Sequence, residues 1–111
     1  MTEGIGIDRM TANFGRAMSL LDGAITGTDQ EAVEMAYFLM RNEGLCIGPS
    51  AALNVVGAVK LGRKLGPGTS VATVICDGGD RYRSKLFSRQ WLEEKGLVPK
   101  AEGSGLDFIG E

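Results

Sequence analysis

Glycine constrains this chain more than any other residue. It fills 17 of 111 positions, about twice the ordinary ~7%. The glycines are not strung out as in a linker: pairs at Gly4/Gly6, Gly44/Gly48, Gly66/Gly68 and Gly78/Gly79 fall between segments with regular hydrophobic spacing. Punctuation of that kind marks tight turns and close backbone approaches between short elements. The length suits one modest core, or part of one.

Between these punctuation marks the pattern is helical, then strand-like, then helical again. Thr28-Asp29-Gln30-Glu31 offers a cap and early acids, Val33, Ala36, Tyr37 and Met40 follow at helical spacing, and Asn42 and Gly44 provide the stop. Leu45-Cys46-Ile47 reads as a short strand. A second helix is expected from Ser50, after Pro49, through Leu53, Val56 and Val59 to Leu65, ending at Gly66-Pro67-Gly68. The run Val71-Ala72-Thr73-Val74-Ile75-Cys76 is apolar and β-branched, which predicts an interior strand of a parallel sheet. Ser88 caps a last short helix holding Trp91 and Leu92 and ending at Lys95-Gly96. This order predicts an α/β fold: a partial parallel sheet with flanking helices. The segment from 100 to 111 is expected to be a mobile tail.

Several function classes drop out on composition. Net charge is -2, so no broad field draws a polyanion, and nucleic acid is not an expected partner. The chain has no histidine, which removes any histidine triad, histidine base or histidine metal site of its own. No metal site is expected. The longest uncharged run, Gly44 to Val59, falls short of the ~20 residues a membrane span needs, and the first residues lack the basic and apolar segments of a signal peptide. Cys46 and Cys76 form no C-x-x-C pair, sit in apolar stretches and are expected to be buried, reduced thiols, which points to the cytoplasm.

Sheets of this kind bind ligands beyond the carboxyl ends of their strands, and two loops meet that rule. Gly48-Pro49-Ser50-Ala51-Ala52 enters a helix, where small side chains and backbone N–H groups favour an anion; an ordinary capped helix start explains it equally well. Asp77-Gly78-Gly79-Asp80-Arg81-Tyr82 gathers carboxylates, glycines and an arginine at a strand end, and a solvated turn explains that loop on the same footing.

The residues themselves carry a resemblance. Thr2-Glu3-Gly4-Ile5-Gly6, then the stretch Asn42 to Asn54 around Cys46-Ile47-Gly48-Pro49-Ser50, then Val74 to Phe87 with its Cys76-Asp77-Gly78-Gly79-Asp80-Arg81-Tyr82 core, follow one another from about Thr2 to Leu97. Together they resemble the C-terminal portion of the cysteine synthases, pyridoxal 5′-phosphate enzymes of fold type II. The resemblance implies the C-terminal part of the large, cofactor-binding domain over residues 1–99. The implied activity is β-replacement, in which O-acetylserine and sulfide give L-cysteine, with pyridoxal 5′-phosphate as the cofactor. Its implied partners are the N-terminal part of the same enzyme and, once complete, a second copy in a homodimer.

Carried across by position, Gly4, Ile5 and Gly6 match the glycine loop beside the cofactor, where a side chain obstructs the approach. Gly48 and Ser50 match a glycine-serine helix entry, but Ala51-Ala52 departs from the usual pair and no direct ligand role is carried over. Cys76, Asp77 and Gly78 match the region facing the pyridine nitrogen, where many relatives present a serine, and the resemblance does not choose among the three. Asp77 at the nitrogen favours a protonated ring, a stronger electron sink; the plainer alternative is an aspartate capping its own turn. Arg81 and Tyr82 match an Arg-Tyr pair that braces the loop. Met35, Tyr37, Phe38, Met40 and Trp91 read as packing residues.

The departure from the family is equally informative. Neither the Ser-x-Lys-Asp-like segment with the Schiff-base lysine nor the phosphate-binding glycine/threonine loop occurs here, and Lys60, Lys64, Lys85, Lys95 and Lys100 stand in unrelated contexts. No catalytic residue is assigned, and the chain alone is expected to be inactive. Two other readings are a non-catalytic anion-binding or interaction module derived from this fold, and a fragment of another β-replacement enzyme such as cystathionine β-synthase.

Overall fold

The computed structural model describes residues 12–101 and 103–110. Its elements are α1 (Ala12–Ala17), a single 3-10 turn over Met18–Leu20, α2 (Asp29–Glu43), α3 (Pro49–Leu65), a second 3-10 turn over Asp80–Tyr82, and α4 (Arg89–Lys95).

The start of α2 is fixed by chemistry legible in its first four residues. Thr28 Oγ1 accepts from the Glu31 N–H at 3.1 Å while the Glu31 carboxylate accepts from the Thr28 N–H at 2.9 Å, a reciprocal capping box. Its end is fixed by Gly44, whose φ of 67° lies in the left-handed region that suits glycine. From there the Leu45 N–H closes back on the Leu39 carbonyl at 3.1 Å. The third helix begins one residue earlier than the sequence predicts: Gly48 is the cap and Pro49 the first helical residue. That position tolerates proline because its missing N–H has no partner to lose. Ser88 accepts from the Trp91 N–H to start α4, and Gly96 at φ 68° ends it.

The core lies where α2 meets α3. Ala32, Val33, Met35 and Ala36 of α2 and Ala51, Ala52 and Val56 of α3 are buried, and the alanines let the backbones approach closely. Leu86 and Leu92 close it from the C-terminal side. Tyr37 and Trp91 are partly buried against this core, whereas Met40 remains 39% exposed.

The parallel sheet does not appear among the described residues. Among the described residues there is no regular strand, only an isolated antiparallel bridge between Ile47 and Gly78. The β-branched run before it lies on the surface, with Val74 66% and Ile75 47% exposed. The physical reason is that a strand is stabilised by neighbours on both edges, and among the described residues the hydrogen bond on Val74 comes from the Asn54 side chain, which donates to its carbonyl at 3.0 Å.

The C-terminal residues, expected to be mobile, run back over the helices. Glu34 accepts from the Lys100 and Ala101 N–H groups, Arg63 donates to the carbonyls of Leu106 and Ile109, each at 2.9 Å, and Ile109 is buried. The contacts fall on backbone groups of this segment and on one isoleucine. Among the described residues no helix is long and apolar enough to cross a membrane.

Candidate functional site

The bridge at Ile47 and Gly78 brings the two glycine loops together. Gly48 N–H donates to the Asp77 carbonyl at 3.3 Å and Gly79 N–H to the Cys46 carbonyl at 3.1 Å. The start of α3 and the turn after residue 76 are therefore one site.

Its geometry accounts for two glycines. A Cβ on Gly48 would lie 2.2 Å from Asp77 Oδ1 and 2.6 Å from the Tyr82 ring. One on Gly79 would lie 2.6 Å from Cys46 Sγ and 2.7 Å from Phe87. Both are far inside contact distance, so the loops close only over bare backbone.

Asp77 is the ionisable centre. Tyr82, 5% exposed, donates its hydroxyl to Asp77 Oδ2 at 2.6 Å, the short distance of a charge-assisted bond. Arg81 lies 3.8 Å from the same oxygen with its side chain 75% exposed, so it contributes little against solvent screening. The expectation of a bracing Arg-Tyr pair thus resolves unequally: the tyrosine braces and the arginine faces water. Oδ1 is buried and has no hydrogen-bond partner among the described residues. Leaving such an acceptor unsatisfied costs about 1–3 kcal/mol, which a bound donor relieves.

Of the other residues singled out from the sequence, Gly78 forms the bridge and is exposed; Gly4, Ile5 and Gly6 lie outside the described residues. The cysteines depart from expectation. Both are exposed, Cys76 because its run lacks sheet neighbours and Cys46 because it rims a hollow of about 330 Å³ with Tyr37, Arg83 and Phe87. Among the described residues no group of histidine, cysteine, aspartate or glutamate side chains has the grouping of a metal site.

A second charged cluster, missed in the sequence, holds the back of α2 and α3. Lys60 donates to Glu31 at 3.0 Å and to the Thr26 carbonyl at 2.7 Å, with both charged side chains under 10% exposed. The Gly110 N–H also donates to Glu31 at 2.8 Å. Burial pushes the Glu31 carboxyl up, but the N–H groups of Thr28 and Gly110, the Lys60 ammonium and the Thr28 hydroxyl together hold it below its ordinary value. The sequence offered Glu31 only as an early acid of α2; nothing local paired it with Lys60.

The sequence profile of the family described as "Pyridoxal-phosphate dependent enzyme" matches residues 1–77, well over half of the chain. The chain belongs to this family. Among its relatives, cysteine synthase of Dictyostelium discoideum is 48% identical over 107 residues, covering 96% of this chain and 28% of the relative. Cysteine synthase 2 of Schizosaccharomyces pombe is 46% identical over 109 residues, covering 98% of this chain and 27% of the relative. Cystathionine beta-synthase of Oryctolagus cuniculus is 34% identical over 100 residues, covering 90% of this chain and 18% of the relative. The chain thus spans about a quarter of the length of the cysteine synthases it matches. The family's cofactor carries a pyridine nitrogen, a hydrogen-bond donor when protonated; Asp77 Oδ1, without a partner among the described residues, is an acceptor of matching chemistry, here covered and packed on Gly48.

Proposed function

We propose that this chain is the C-terminal part of a pyridoxal 5′-phosphate-dependent cysteine synthase, which replaces the acetoxy group of O-acetylserine with sulfide to give L-cysteine. The observation that carries this reading is identity of 46–48% to cysteine synthases over nearly the whole chain. Cystathionine β-synthase, a related β-replacement enzyme, is the second reading; the lower identity of 34% ranks it behind. A non-catalytic anion-binding or interaction module is the third.

In the proposed enzyme, residues 1–99 form the end of the cofactor-binding domain, with Gly4, Ile5, Gly6, Cys76, Asp77 and Gly78 lining the ring. The bound cofactor supplies the electron sink. Asp77 offers the acceptor for the ring nitrogen, Gly48 and Gly79 keep the loop close-packed, and Tyr82 holds the carboxylate. The apolar run at Val71–Cys76 is a strand of the parallel sheet once the rest of the enzyme supplies its neighbours. Its exposed Val74 and Ile75 support this, because such side chains gain by burial. The complete enzyme is a homodimer acting in the cytoplasm, where the unpaired Cys46 and Cys76 stay reduced.

No lysine here has the role of covalent anchor. Lys60 is committed to Glu31 and Thr26, and Lys64, Lys85, Lys95 and Lys100 are exposed. The test is complementation: this chain is co-expressed with the upstream three-quarters of the Dictyostelium relative and assayed for cysteine from O-acetylserine and sulfide. Activity from the pair and none from either piece supports the reading. An inactive pair that assembles and takes up cofactor contradicts it.

A further inference from the structure

We infer that the open side of α3 is the seat of the enzyme's upstream part: a concave apolar hollow along this helix takes apolar side chains from that polypeptide. This rests on the reading of the chain as the C-terminal part of a cysteine synthase, whose relatives have only about a quarter of their length covered by this chain. The helix carries two apolar stripes. Ala52 and Val56 lie in the core shared with α2. Gly57, Ala58, Leu61 and Leu65, at helical spacing on another side, line an open hollow of about 530 Å³. A helix apolar on more than one side is one that is covered on more than one side, yet Leu65 is left 56% exposed.

The hollow is preformed. One wall, residues 22–25, is held to the helix by Lys60, which donates to the Thr26 carbonyl at 2.7 Å, and by Gly27, where a Cβ would lie 2.6 Å from Leu53. The other wall, residues 71–73, is held by the Asn54 amide, which donates to the Val74 carbonyl at 3.0 Å. That wall runs directly into the exposed Val74 and Ile75. One piece of polypeptide laid along residues 71–75 therefore covers the run and fills the hollow together. A second copy of this chain does not fit the same place: a two-fold pair centred there sets the hollow against itself, and two concave surfaces leave both unfilled.

The experiment uses this chain co-expressed with the upstream three-quarters of the Dictyostelium relative, with a benzophenone photo-crosslinking amino acid in place of Leu65. Irradiation is expected to join position 65 to one apolar segment of the upstream piece, identified by mass spectrometry. Attachment to a second copy of this chain, no attachment, or no assembly overturns the seat. In the same co-expression Leu61→Glu, which puts a carboxylate into the hollow, is expected to lower the recovered pair about tenfold. Gln90→Glu, exposed on α4, leaves recovery at the parent level. Equal recovery with Leu61→Glu and Gln90→Glu overturns the inference, and should Leu61→Glu not fold, the crosslink decides. A pair that crosslinks at position 65 and takes up cofactor but makes no cysteine from O-acetylserine and sulfide retains the seat and contradicts the cysteine synthase reading. An active pair without the crosslink does the reverse.

Discussion

The Tyr82 hydroxyl donates to Asp77 Oδ2 at 2.6 Å, with the tyrosine ring buried and the carboxylate a quarter exposed. This bond ties the end of the apolar run to the 3-10 turn that follows it, and both rest on the first residue before α3. Hydrogen bonds to charged groups contribute about 1.5–3 kcal/mol. The partial exposure of Asp77 lets water replace part of the loss, so Tyr82→Phe is expected to lower stability by about 1.5 kcal/mol, measured by urea unfolding at neutral pH. An unchanged midpoint contradicts the bracing role.

Two glycine substitutions are expected to have opposite signs. Gly48→Ala puts a methyl group 2.2 Å from Asp77 Oδ1 and 2.6 Å from Tyr82, and overpacking of that kind costs about 1–3 kcal/mol. Gly57→Ala, in the middle of α3 with nothing within 4 Å of the new methyl, gains about 0.5–1 kcal/mol from reduced backbone freedom of the unfolded chain. Thermal unfolding of the two variants beside the parent separates close approach from mere glycine.

Acid is expected to loosen the back of the helix pair before neutral conditions do. The folded Glu31 carboxyl sits below its ordinary value of about 4.5, so its charged form is the one the fold favours. That stabilisation is complete above the ordinary value and is lost as pH falls below it through the folded value. Glu31→Gln keeps the capping shape but leaves the buried Lys60 ammonium without its counter-charge, for a loss of about 3 kcal/mol at neutral pH. The Glu31-dependent part of the acid sensitivity disappears in the same variant. Urea midpoints from pH 7 down to pH 3 for both proteins check the pair of statements.

The helices were legible in the sequence because their signals are local. Thr28 with Glu31, Ser88, and the stops at Gly44 and Gly96 act within one turn, and all four stand where the sequence puts them. The sequence placed each glycine loop after a candidate strand but not against the other; the bridge between Ile47 and Gly78 that joins them is antiparallel and isolated among the described residues. The strand around Val74 was read from β-branched composition, which reports a preference that only neighbouring strands satisfy. What composition could not give was anything set by distant pairs. Lys60 on Glu31 and Glu34 on the backbone of Lys100 and Ala101 depend on how α2, α3 and the C-terminal residues lie together. The hydrophobic spacing of α2 likewise placed Met40 inside, and the end of the helix carries it out to 39% exposure.

The proposed function assigns the reactive amine to another part of the enzyme, because the lysines of this chain stand outside the family's Schiff-base segment. The direct measurement is borohydride reduction of the purified chain in stoichiometric pyridoxal 5′-phosphate, followed by peptide mass mapping. The account predicts no pyridoxyl group concentrated on any lysine of this chain, and a single modified lysine on the upstream piece when the two are combined. One stoichiometric adduct on Lys60, Lys64, Lys85, Lys95 or Lys100 contradicts it.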